Sequence, residues 1–114
     1  MGYLTKEQIL TADDLPRETV EVPEWGGEVL VKALTGLERH ELIEQYAAAQ
    51  KVNADEPFDI HLVGAAMCGE NGDPLLDTLD EIRLLGRRNG AALERVFRAA
   101  QRLNGFDRAA QKKG

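Results

Sequence analysis

Few side chains in this chain can do chemistry, and their spacing does not favour it. His40 and His61 stand 21 residues apart. A Cys–His nucleophile pair needs sulfur and imidazole within hydrogen-bond reach. On a helix, Cys68 and His61 would lie two turns apart, about 10 Å. Cys68 closes an apolar run, where a free cysteine serves as a small core residue. No CxxC, HxxxH or HExxH spacing offers a metal site. Glu70-Asn71-Gly72-Asp73 with Asp77 lacks the alternating acidic pattern and terminal Glu of a calcium loop, and reads as a turn. Asp77, Asp80 and Glu81 bunch at a predicted helix start, where the macrodipole favours carboxylates; this is capping, not acid–base work. Arg95, Arg98 and Arg102 line one helix face and would suit phosphates, but Glu94 and a net charge of −6 make a solvated face the plainer reading. Trp25, beside Gly26-Gly27, is either a lid on the core or an anchor for a partner. No catalytic, cofactor-binding or metal-binding residue is assigned.

The elements that position these residues are mostly helical. Thr19 to Leu34 is the one clear β segment: Val20 and Val22, then Val29 and Val31, alternate with other residues around Pro23-Glu24-Trp25-Gly26-Gly27. That pattern predicts a hairpin over 19–33, with Pro23 ending its first strand and both glycines free to take positive φ. A lone hairpin is marginal, so its valine face needs support from the helices. A short helix capped by Thr5 is expected within residues 3–10. Thr35 with Glu38 is a capping box opening a helix over about 36–51, with Leu42, Ile43, Tyr46 and Ala49 on one face. Pro57 starts the next, over 57–68, apolar on all sides and therefore buried. Gly64 within it costs about 1 kcal/mol of propensity, which implies close approach of a neighbour. Asp77 or Thr78 caps a third helix over 77–86. Asn89 caps the last, over 90–104, whose Leu93, Val96, Phe97, Ala100 and Leu103 keep helical spacing. Gly105 stops it, Phe106 is positioned to fold back as an apolar contact, and 106–114 is expected as a flexible tail. The fold class is α+β, mainly α: an N-terminal β-hairpin packed on a bundle of about four helices, in a single domain over 1–105.

Charge and composition narrow the function. Residues 1–60 carry 5 basic and 13 acidic side chains, residues 61–114 carry 9 and 7. An acidic front half argues against nucleic acid as a partner, and the unequal halves suit head-to-tail self-association. One cysteine allows no intrachain disulfide and fits a reducing compartment. MGYLTKEQIL holds no apolar run of the signal-peptide kind, and no stretch reaches the roughly 20 apolar residues of a membrane span.

Leu4-Thr5, Gln8 to Leu10, Asp13-Asp14, Pro16, Glu18, Val20, Val22 to Gly27, Val29, Val31, Leu34 to Gly36 and Glu38-Arg39 form one ordered pattern. Ala92-Leu93, Val96-Phe97, Ala100-Gln101 and Leu103 to Gly105 form a second. In order and spacing the two resemble the tail assembly chaperones of long-tailed phages and prophages, across residues 3–105; Ala47 to Phe58 carries no matching signature. The resemblance implies a non-enzymatic assembly factor without cofactors. It would bind the tape measure protein, promote tail tube assembly around it and meet the major tail tube protein. It would form homo-oligomers in the host cytoplasm and be absent from the mature virion. It also implies a longer form made by frameshifting, for which Gln111-Lys112-Lys113 is the expected site. The residues expected to meet a partner are Trp25, Pro23, Leu30, Tyr46 and Phe106. A structural virion component, either a head–tail connector or a minor tail protein, is the first alternative. A small helical DNA-binding regulator using Arg95, Arg98 and Arg102 is the second.

Overall fold

A computed structural model describes residues 2–106. The hairpin forms as the alternation requires. Strand β1 (Arg17–Val22) pairs antiparallel with β2 (Gly27–Lys32), Val20 opposite Val29 and Val22 opposite Gly27. A 3₁₀ turn, Pro23–Trp25, joins them and ends at Gly26, whose φ of 80° only glycine adopts freely. Gly27 does not share the positive φ expected of it: it pairs with Val22 as the first residue of β2.

The chain continues as α2 (Gly36–Val52), α3 (Phe58–Ala66), α4 (Leu79–Leu85) and α5 (Gly90–Asn104), preceded by a short α1 (Lys6–Leu10). Thr5, Thr35 and Thr78 each close a capping box, with Gln8, Glu38 and Glu81 respectively, and Asn89 Oδ1 accepts the N–H of Ala92. Three of these four caps follow the side-chain rules directly; at the fourth, Thr78 and not Asp77 takes the cap position.

The helix expected over 57–68 is shorter. Pro57 is its cap, and the helix ends at Ala66 because Met67-Cys68 straighten into a third strand, β3, opposite Val31 and Leu30 of β2. The free edge of β2 offered backbone groups that needed partners, and an apolar run serves a strand as well as a helix. The sheet therefore has three strands in the order β1-β2-β3.

Val20, Val22 and Val31 supply the sheet's side of the core, Leu62, Val63 and Ala66 of α3 its centre, and Ala92, Leu93, Val96 and Phe97 of α5 its far side. The support the hairpin needs thus comes from α3 and α5. Phe106 folds back after Gly105 as expected and is buried in the core, so the expected start of the tail at 106 is one residue early. Gly105 takes φ 71° and turns the chain so that the N–H of Phe106 donates to Gln101 O at 3.2 Å. Residues 107–114, and with them the flexible tail and Gln111-Lys112-Lys113, lie outside the described residues.

Candidate functional site

Helices α2 and α4 both lean on α3 and leave a groove between them. Its floor is Gly64 and Ala65 of α3. One wall is Leu42, Ala48, Ala49 and Val52 of α2, the other Leu79 and Ile82 of α4, and Leu34 and Leu76 close one end. The cavity measures about 470 Å³, within the roughly 300–1,000 Å³ of ordinary ligand clefts. Glu41 and Asp77 sit on its polar rim with Glu38. Val52 is 83% exposed and Leu79 40% exposed, so apolar surface stands open in the walls. Ile43, expected on the packed face of α2, is 48% exposed instead.

A polar cluster fixes the α2 and α3 side. His61, buried at 1% exposure, donates from Nε2 to Glu56 Oε1 at 2.8 Å. Tyr46 Oη donates to the carbonyl of Glu56 at 2.9 Å, and Asn53 Nδ2 to Glu56 Oε2 at 3.3 Å. The hydrogen bond from His61 holds the Glu56 carboxyl below the usual range, against the upward push of burial. His61 is thus a satisfied core histidine, as its place in an apolar run suggested. Its partner Glu56 lies between the two expected helices and carried no sequence signal.

A second clamp holds the start of α2 to the turn at 69–74. Lys32, buried at the end of β2, donates to Glu38 Oε2 at 2.6 Å and to Gly72 O at 2.7 Å. Burial alone would raise Glu38, but the hydrogen bonds from Lys32 and the Thr35 N–H outweigh it and keep the carboxyl ionised. Arg17 Nη1 donates to Glu70 O at 2.8 Å. A Cβ on Gly72 would fall 2.8 Å from Arg17 Nη2, and φ there is 87°.

The five residues expected to meet a partner do not form one surface. Tyr46 and Phe106 pack edge-on against Phe58, each with ring centroids 5.2 Å away, and the Arg39 guanidinium lies 4.0 Å over the Phe106 ring. Arg39 is therefore a fold contact, and its Nη1 also donates to Asn104 O at 2.9 Å. Leu30 is half-buried in the central strand. Pro23 is exposed at the hairpin tip, and Trp25 is half-buried there against the core. The lid reading of Trp25 describes its packing, although its Nε1–H is buried with no acceptor. Arg95 meets the tip and Asn104 the far end of β2, so tip and Phe106 stand about 14 Å apart along α5.

The arginine face of α5 is paired within the chain. Arg95 grips Glu24 with two hydrogen bonds of 2.8 and 2.9 Å, Arg102 reaches Glu18 at 2.7 Å and Arg98 reaches Glu94 at 3.1 Å. The stripe is solvent-exposed as expected, and within it Arg95 and Arg102 strap α5 to the hairpin while Arg98 pairs along α5 itself. The depression between β1 and α5 is lined by the three arginines together with Glu18, Glu21 and Glu94. This disfavours phosphate binding there and leaves the α2–α4 groove as the open apolar site.

The hairpin, the third strand and the helices wrapped on one face form a phage tail assembly chaperone-like fold. The solved structure of the bacteriophage HK97 tail assembly chaperone is similar, with a TM-score of 0.54 and 23% identity over 85% of this chain and 90% of that one. No protein-family model and no curated protein matches the chain.

Proposed function

We propose that this chain is a phage tail assembly chaperone, non-enzymatic, that holds apolar helical segments of the tape measure protein in its α2–α4 groove until tail tube subunits replace it. The observation that carries the reading is the groove itself, with Ala48, Val52 and Leu79 lining an open apolar cavity. Its acidic rim keeps the chain soluble and gives a helix a polar edge to lie against. The shared fold with the HK97 chaperone and the two sequence patterns support it. On this reading the protein acts in the host cytoplasm and leaves before the virion is complete.

Co-expression with the tape measure protein of the same genome tests it. The expected result is a soluble complex that Ala48→Arg disrupts. Failure of the intact chain to hold that protein in solution, or its presence as a fixed component of finished particles, would count against the proposal. The second outcome would favour a structural virion protein.

A further inference from the structure

Helix α1 buries nothing. Tyr3, Leu4, Ile9 and Leu10 are all exposed, Leu10 at 76%. A five-residue helix is not stable alone in water, where roughly 12–15 residues are marginal. Yet this one is carefully terminated. Thr5 Oγ1 accepts the N–H of Gln8, Gln8 Oε1 accepts the N–H of Thr5, and Thr11 Oγ1 donates to Glu7 O. Such a turn is built for a docked state, and among the described residues it has no dock.

The groove has the opposite deficit, apolar walls with no described side chain packed between them. The two are linked by position. The ladder of β1 extends to Pro16, whose carbonyl accepts the N–H of Ala33 at 2.9 Å, one residue before Leu34 at the groove's end. The arm therefore leaves the domain beside the groove, through an exposed connection over 11–15. Arms attached this way exchange between copies at low cost. We infer that α1 of one copy docks in the α2–α4 groove of a second copy, with Ile9 and Leu10 covering Ala48, Val52 and Leu79. Lys6 then lies beside the acidic rim at Glu41 and Asp77. Reciprocal exchange closes a dimer, and one-way exchange continues into an open oligomer. The arm also guards the groove until a client helix displaces it; that consequence rests on the proposed function, whereas the docking does not.

Sedimentation equilibrium of the chain alone, with no client, tests the docking. Ile9→Asp with Leu10→Asp, and separately Ala48→Arg, each weaken self-association by at least about tenfold, or 1.4 kcal/mol. Melting temperatures measured in dilute solution, where the chain is monomeric, stay unchanged, because none of the three residues is buried within one copy. An equal mixture of the arm variant and the groove variant regains association, since one retains a groove and the other an arm. The inference is overturned by an intact chain that stays monomeric at millimolar concentration, by self-association that neither variant weakens, or by a mixture that regains nothing. It is overturned equally by a monomer whose residues 6–10 are protected from amide exchange until Ala48→Arg frees them, since the arm would then sit in its own groove.

Discussion

Ile82 Cγ1 lies 3.0 Å from the point a Cβ on Gly64 would occupy, so α4 packs on α3 at a spot only glycine leaves open. The groove's width depends on this contact, because Gly64 forms its floor and Ile82 its wall. Gly64→Ala would gain up to about 1 kcal/mol of helix propensity but must displace Ile82, and overpacking costs about 1–3 kcal/mol. A net loss of about 1 kcal/mol is expected in chemical denaturation. In the Ile82→Ala background the same substitution becomes stabilising, and a double-mutant cycle reads the coupling.

Asn104 ends α5 by standing in for a strand. Its Oδ1 accepts the N–H of Leu34 at 2.7 Å, and its Nδ2 donates to Lys32 O at 3.2 Å and Ala100 O at 2.9 Å. Asn104→Ala leaves these backbone groups without partners, at about 1–3 kcal/mol. Amide exchange at Leu34 should accelerate with the loss of stability, whereas Asn104→Ala with unchanged exchange there would show that water replaces the side chain.

Glu24 is pulled from the ordinary 4.5 to about 2, first by its hydrogen bonds from Arg95. A carboxyl whose folded pKa is depressed stabilises the fold above its unfolded pKa, and that contribution fades as pH falls from 4.5 toward 2. Carboxyl titration by NMR should show Glu24 ionised well below its neighbours. Glu24→Gln should remove part of the stability lost on acidification while costing little at pH 7, as solvent-screened exposed pairs do.

Glu56 shifts in the same direction, held down by His61. The sign is therefore the same: the Glu56 contribution is present above the unfolded carboxylate pKa and declines as pH drops through the lowered folded value. Glu56→Ala leaves the buried His61 Nε2 without an acceptor, and a loss of about 1–3 kcal/mol is expected at neutral pH. A thermal melt unchanged by this substitution would show that the cluster does not tie α2 to α3.

The sequence disclosed what is local. Threonine caps, the valine alternation of the hairpin and the spacing from Leu93 to Leu103 each set an element within a few residues, and all of these elements formed. The turn from α3 into β3 was hidden because Phe58 to Cys68 is apolar throughout, and only the unpaired edge of β2 decides where helix gives way to strand. Partners distant in sequence were equally hidden: Glu24 for Arg95 and Asn104 for Leu34. The groove was least visible of all. A cavity belongs to the gap between helices, and Ala48, Val52 and Leu79 show nothing unusual one at a time. The expected partner set included none of the groove residues, and two of its members, Tyr46 and Phe106, pack within the fold.

The most direct measurement is retention of the tape measure protein by the chain and two of its variants, with melting temperature recorded beside it. The account predicts that the intact chain keeps that protein soluble, that Ala48→Arg loses it at unchanged melting temperature, and that Ile9→Asp with Leu10→Asp retains it. Equal retention by the intact chain and Ala48→Arg would contradict the account, because the groove would then not be where the client is held.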